Sequence, residues 1–360
     1  AEHRLPKESE RETRRQRGMT VGDEERFAPA NVLRRLQPFM EAHTGTALLQ
    51  LLQSLALFGG GWLLAAALPS HAFPLLSWAS FLAGTVLVAL CKVRLFVQFH
   101  DMGHGSFFPS LAWNRFFGHF VGSLVNTPFD SWKTPHSTHH VHLAKVDRNE
   151  EQHGEVPTWK VADFKKASGI ARFLYRLYRT PFVMFVVLPQ YVFSLSYRWQ
   201  PDSLICNTLI ALRCAILFLI NPSLLWVEFW ATFLSNSIGF YLFFGQHTFN
   251  PFMEQTHANY NVVKAGIYSS SFFVMHPILH WFSANIGYHH VHHTTVRIPS
   301  YQLVKAHHAT LDLWTDVTRV TFADVWANSA LILWDDDLHK YVTFEEVAKN
   351  MALEGEKKHQ

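Results

Sequence analysis

Residues 73–104 read FPLLSWASFLAGTVLVALCKVRLFVQFHDMGH. From Phe73 to Phe99 the stretch is apolar and long enough to cross a bilayer core about 30 Å thick, which takes roughly 20 helical residues at about 1.5 Å each. Where the apolar run stops, it delivers His100 and His104, four residues apart and so on one helix face. A membrane span that ends on a pair of metal-type ligands sets the terms for the rest of the chain.

Working outward, Ala47 to Leu68 is a second such run, separated from the first by Pro69, Ser70 and His71, so the two predict a helical hairpin. Ser203 to Ile220 and Ser223 to Gly245, joined at Asn221 and Pro222, predict another. Pro181 to Tyr197 is shorter and holds two prolines. If it crossed, the histidines on either side of it would face opposite sides of the membrane, so it is read as interfacial or re-entrant. Its flank of Arg172, Arg176 and Arg179, interleaved with Tyr175 and Tyr178, suits a headgroup zone. Arg213 lies midway along the third span, where facing lipid costs about 2.5–3.5 kcal/mol, so it must face the bundle or snorkel.

Composition agrees. Of 360 residues, 49% are hydrophobic and only 16% charged, against about 25% charged in a soluble domain. This excludes a disordered chain, a basic nucleic-acid-binding protein and an ordinary soluble enzyme. Three cysteines in apolar runs make neither a disulfide framework nor a zinc spacing. Nine Lys and Arg in residues 1–40 and eight in 141–180, against none in the two hairpin turns, place both termini and the long middle loop in the cytosol. With acids such as Glu2, Glu8, Asp23 and Glu24 among the N-terminal arginines, and no apolar run before Ala47, neither a transit peptide nor a cleavable signal is expected. The expected fold is thus an all-α integral membrane protein. Four transmembrane helices form two hairpins, with interfacial helices and a cytosolic cap carrying a di-metal histidine site. Residues 1–46 form a basic cytosolic segment, 47–310 the membrane domain and 311–360 a cytosolic tail, in which Thr343 and Glu346 predict a capping box.

Histidine is the anomaly, at 23 residues. His136, His139 and His140 (HSTHH) follow the i, i+3, i+4 spacing of one helix face, and His289, His292 and His293 (HHVHH) repeat it. His247 closes the fourth span. With His100 and His104 these are nine imidazoles at one membrane edge, too many for one ion and enough for two. Nitrogen ligands suit iron, zinc, copper or nickel. Metal-bound imidazoles need partners for their second nitrogen, and Asp101, Asp130, Asp147 and Glu150 are candidates. His276 and His280 share the i, i+4 spacing, but Pro277 breaks that turn, so they are read as interfacial or as supports for the ligands rather than as ligands. His142, His290, His307 and His308 are read as bystanders.

The three boxes HDMGH, HSTHH and HHVHH, in that order between two hairpins, resemble those of the membrane fatty acid desaturases. The wider runs HDMGHGSFF at His100–Phe108, Trp132 before the second box, and NIGYHHVHH at Asn285–His293 with Arg297–Tyr301 downstream resemble the Δ12 (omega-6) and omega-3 acyl-lipid branch. The resemblance covers roughly residues 40–310. It implies a di-iron centre, O2 as co-substrate, and two electrons per turnover from a separate donor. It makes His100, His104, His136, His139, His140, His289, His292 and His293 iron ligands, with His247 matching the family's extra histidine. Where some bacterial relatives carry a glutamate shortly after that histidine, this chain has Asn250, and Glu254 stands in only if the loop bends back. No His-Pro-Gly-Gly haem motif occurs, so the donor is expected to be cytochrome b5 or a ferredoxin.

The expected reaction is insertion of a cis, mid-chain double bond into a lipid-bound or CoA-bound acyl group. The alternatives on the same scaffold are hydroxylation, epoxidation, acetylenic bond formation or carotenoid oxidation. A membrane zinc hydrolase needs about three ligands and an open position, not nine. A bis-histidine haem protein, as a non-catalytic membrane protein, needs ligands inside the spans, which are nearly free of histidine. The closing Lys357-Lys358-His359-Gln360 resembles a dilysine retrieval signal and favours the endoplasmic reticulum, with a bacterial inner membrane as the other home.

Overall fold

The computed structural model describes residues 25–66, 74–145 and 156–358. The hairpin turn at Pro69–His71, Asp147 and Glu150, the charged stretch before Glu25, and His359–Gln360 lie outside them. After a short helix α1 (Pro29–Leu36) come α2 (Thr44–Ala66) and α3 (Pro74–His104). Small residues let these two approach closely: a Cβ on Gly84 would stand 2.4 Å from the Ala65 nitrogen and 2.6 Å from the Gly61 carbonyl oxygen. A polar ladder stiffens the pair, with Arg94 Nε donating to Ser54 Oγ at 3.0 Å and Gln98 Nε2 to the same oxygen at 2.8 Å. The Arg94 guanidinium also lies 3.8 Å over the Trp281 ring.

α3 does not stop at Phe99, as the loss of apolar character predicts, but runs on through His104. Nothing in HDMG breaks a helix, and the end comes where Gly105 takes φ 73°. Next are α4 (Leu111–Leu124), α5 (Phe129–His142), α6 (Val161–Lys166) and α7 (Gly169–Tyr178). The segment expected to be a short helix at Pro181–Tyr197 is two π-helical turns, Val183–Val187 and Gln190–Leu195, either side of Pro189. Proline has no N–H to offer the ladder there. Gln190 and Asn236 tie this segment to the last long helix, Asn236 Nδ2 donating to Gln190 Oε1 at 3.1 Å.

α8 (Ser203–Ile220) and α9 (Leu224–His247) complete the long helices. Among the described residues three helices, α2, α3 and α8, are long and apolar enough to cross a membrane. α9 has the length, at 24 residues, but carries Glu228, Thr232, Ser235, Asn236, Ser237 and Gln246, which lower its apolar character. Those groups point inward. Glu228 Oε1 receives Lys92 Nζ of α3 at 2.7 Å and an Arg213 guanidinium nitrogen of α8 at 2.8 Å. Arg213 therefore faces the bundle, as its cost in lipid requires. The outer surface is the reverse, with Leu75 86% and Leu219 82% exposed, as a lipid-facing wall demands.

The remaining helices are α10 (Val262–Tyr268), α11 (Pro277–Phe282), α12 (His289–Thr294), α13 (Ser300–Ala309), α14 (Phe322–Asn328) and α15 (Phe344–Lys358). The all-α expectation needs correcting, because the described residues also include five short strands: β1 (Trp159–Lys160), β2 (Ser271–Phe273), β3 (Thr318–Val320), β4 (Leu333–Asp335) and β5 (Lys340–Val342). β2 and β3 pair in parallel, and β4 lies between parallel β1 and antiparallel β5. Strands of two or three residues are too short to show an alternating pattern in sequence. Through them, residues beyond 310 pack back onto the body. α1 docks there too, with Arg35 gripping Asp312 through two bonds of 2.6 and 2.7 Å. The capping box forms, Glu346 N to Thr343 Oγ1 at 3.1 Å and Thr343 N to Glu346 Oε2 at 2.7 Å.

α7 only partly suits the headgroup reading. Ile170, Phe173, Leu174 and Leu177 are exposed, but Arg179 is buried and its guanidinium meets the Pro157 and Leu331 carbonyls.

Candidate metal centre

The nine histidines expected at one edge do come together, and they divide. His100, His104, His136, His140 and His292 bring their ligand nitrogens within 4.8 Å of one another, and so do His139, His247 and His293. His289 joins the second group, its Nε2 lying 2.9 Å from the Nε2 atoms of both His247 and His293. In the first group the Nε2 atoms of His104 and His136, His136 and His140, and His140 and His292 stand 3.1 Å apart.

Each HxxHH box is thus shared between the groups, for a helical reason. Residues four apart differ by about 40° around a helix axis, and neighbours by about 100°. His136 and His140 on α5 point one way and His139 another. On α12, His289 and His293 point together, and His292 turns to the first group. The groups abut where the His140 and His293 rings stack at 4.2 Å.

Supporting atoms fix several rings. Asp101 Oδ1 lies 3.1 Å from His100 Nδ1, and its Oδ2 accepts the Ser300 backbone N–H at 2.6 Å, tying α3 to α13. The Ser269 carbonyl stands 3.3 Å from His247 Nδ1 and accepts a hydrogen bond from its N–H, which leaves Nε2 with a lone pair. Trp132 stacks on His136 at 4.4 Å, and Phe243 packs on His139 and His247. Asp130 serves elsewhere, bonded to Arg115 at 2.8 Å. Glu254 does not bend back to the imidazoles, and approaches His339 at 3.9 Å. No motif signals Ser269 or Phe243, whose parts depend on contacts far along the chain.

Burial first, and then repulsion between neighbouring imidazoles, holds His136, His140, His289, His292 and His293 well below the ordinary imidazole value. They are neutral at physiological pH, the form that ligates a metal. Two sets of imidazole nitrogens with no carboxylate among them fit two ions of the kind that prefer imidazole. Among the described residues the buried Nδ1 atoms of His289 and His292 have no hydrogen-bond partner.

The other histidines stand apart. His276 caps α11 by accepting the Ile278 N–H, and His290 Nε2 pairs with His307 Nδ1 at 2.9 Å behind the box. Neither His276 nor His280 joins either group.

Beneath the first group lies a cavity of about 250 Å³, mostly apolar, running between α3, α9 and the π-helical segment. His100, His136, His289, Trp132 and Gln246 line it near the imidazoles, and Val93, Phe96, Phe240 and Phe193 line it further down.

The family model for fatty acid desaturases matches residues 76–323, which hold all nine of these histidines. The chain belongs to the fatty acid desaturase family. It is a membrane protein and an oxidoreductase of the kind that acts on acyl chains with O2. This desaturase is 32% identical over 325 residues to a fatty acid desaturase of Bacillus subtilis, covering 87% of this chain and 90% of that one. It is also similar to an sn-1 acyl-lipid omega-3 desaturase (ferredoxin) of Synechocystis, at 25% identity over 75% of this chain and 76% of the relative. The match to the endoplasmic reticulum omega-3 fatty acid desaturase of Vigna radiata is 39% identical over 28% of this chain and 25% of that one.

Proposed function

We propose that this protein is an acyl-lipid desaturase that places a cis double bond, of the mid-chain Δ12 or omega-6 type, in a membrane-held acyl chain. The nine histidines hold two iron ions, His100, His104, His136, His140 and His292 around one, and His139, His247, His289 and His293 around the other. The observation that carries this reading is the position of both imidazole groups at the head of one apolar channel. What bound iron supplies, with O2 and two electrons, is the oxidising power to remove two hydrogens from neighbouring methylenes.

The chain's own residues do the rest. An alkyl chain has no acid, carbonyl or leaving group for a side chain to act on, so the protein's part is position and dryness. Val93, Phe96, Phe240 and Phe193 give the methylenes an apolar lining, so a chain that leaves the bilayer loses nothing on entering and brings no water with it. Trp132 and Phe243 wall the imidazoles on the channel side. Asp101 and the Ser269 carbonyl hold protons on the Nδ1 atoms of His100 and His247, so that Nε2 of each is the ligating nitrogen.

α2, α3, α8 and α9 cross the bilayer as two hairpins, the polarity of α9 being satisfied inside the bundle. Lys and Arg counts put the termini and the imidazoles on the cytosolic side. The relatives matched over most of their length are bacterial, which supports a bacterial cytoplasmic membrane and a ferredoxin donor over the endoplasmic reticulum and cytochrome b5. Lipid-bound substrate, rather than acyl-CoA, is supported by the acyl-lipid name of the Synechocystis relative.

The test is gas chromatography–mass spectrometry of total fatty acids from cells expressing the chain, beside His139→Ala. A new monounsaturated or diunsaturated species, absent from the variant, supports the reading, with bound iron falling in the variant and membrane insertion unchanged. A hydroxy, epoxy or acetylenic product instead moves the reaction type. His276→Ala is expected to keep its iron and most of its turnover.

A further inference from the structure

The lower end of the channel is closed by charge. Lys92 lines the cavity, and its ammonium is buried against Glu228 Oε1 and Thr232 Oγ1, both at 2.7 Å. Behind it Glu228 also binds Arg213 at 2.8 Å and Asn126 Nδ2 at 3.0 Å, so helices α3, α8 and α9 and the turn after α4 meet at one ionic knot. An alkyl chain cannot displace such a group, because separating a buried ion pair leaves charges uncompensated in an apolar interior and a methyl terminus offers nothing in exchange. Eight residues of α3 separate Lys92 from His100, a rise of about 12 Å. An extended alkyl chain advances about 1.3 Å per carbon, the projection of a C–C bond of about 1.5 Å, so at most about nine carbons fit between the imidazoles and the knot. Midway, the channel is kept clear by Gly239, which lines it and would have nothing within 4 Å of an added Cβ.

We propose that the Lys92–Glu228–Arg213 knot is the stop against which the substrate's methyl end rests, so that the enzyme positions its double bond by counting carbons from that end. This rests on the desaturase reading above, with the chain entering methyl end first. Gly239 is the second element of the gauge. Removing Lys92 leaves Glu228 and Arg213 as a neutral pair, so the floor can drop without stranding a charge.

The experiment feeds expressing cells saturated fatty acids of 15 to 19 carbons and locates double bonds by mass spectrometry of dimethyl disulfide adducts. The unsubstituted enzyme is expected to keep one distance from the methyl end at every chain length. Lys92→Ala removes three methylenes and the ammonium and is expected to move the bond as much as three or four carbons further from that end. Lys92→Arg, which keeps the cation and does not shorten the side chain, is expected to leave the bond in place. Gly239→Leu fills the channel and is expected to shift the bond toward the methyl end. A distance constant from the carboxyl end overturns the proposal, as does a bond unmoved in Lys92→Ala. If Lys92→Ala does not insert, an unmoved bond in Gly239→Leu overturns it alone. No unsaturated product from the unsubstituted chain, with its iron in place, overturns instead the desaturase reading beneath it.

Discussion

Replacing Asp101 by Asn changes one atom's chemistry and no volume, and it tests how His100 is prepared. The carboxylate accepts on both sides, from His100 Nδ1 at 3.1 Å and from the Ser300 N–H at 2.6 Å. An amide has one oxygen and one NH2. Turned to keep the Ser300 bond, it presents N–H to His100 Nδ1, which must then accept. The imidazole proton moves to Nε2, the nitrogen aimed at the metal, and the ligand is blocked. Turned the other way, it sets donor against donor at Ser300 and breaks the tie between α3 and α13. Either way the cost falls on metal holding. Loss of such a supporting partner weakens metal affinity about 10–100-fold, or roughly 1.4–2.8 kcal/mol. The assay is iron content of the detergent-purified protein after equilibration against a graded series of a competing chelator. Asp101→Asn is expected to release half its iron at 10–100-fold lower chelator activity, while His276→Ala tracks the unsubstituted protein. Equal retention in Asp101→Asn and the parent would refute the argument, and so would a loss no greater in His100→Ala than in His276→Ala.

Glu228→Leu leaves Lys92 and Arg213 buried together without an anion. Breaking a buried pair costs about 3–5 kcal/mol, so a sharp fall in thermal unfolding temperature is expected in detergent, and an unchanged one contradicts the pairing. His307, packed behind the third box, is pushed down to about 3 by burial and then by His308 and Arg319. The unfolded chain takes up that proton first, so its stabilisation is complete above pH 6.5 and is lost as pH falls toward 3, by up to about 1.4 kcal/mol per unit. Unfolding temperatures from pH 7.5 to 4.5 should fall less steeply in His307→Gln than in the parent, and parallel curves would count against it.

What could be read in the chain was whatever depends on spacing. The long apolar runs, the inward turn of Arg213 and the convergence of nine histidines all follow from helical geometry and the cost of charge in lipid. Even the division of each box was implicit in the angle between His139 and His140. Long-range contacts were not legible. Nothing near Asp101 announces Ser300, and nothing near His247 announces the Ser269 carbonyl. Asp130 looked equally suited to support a ring but is held by Arg115. Lys92 read as one polar residue in an apolar run, its place set only when Glu228 arrives from α9. Strands as short as β2 and β3 carry no periodicity, so the return of the last residues onto the body stayed hidden.

α5 and α12 each carry adjacent histidines that serve different groups, His139 beside His140 and His292 beside His293. The two groups therefore share covalent struts. An ion that draws His140 into place sets His139 for its neighbour, and the same holds for His292 and His293. Occupancy of the two positions should therefore be all-or-none: at limiting supply, the population divides into doubly filled and empty molecules with few in between.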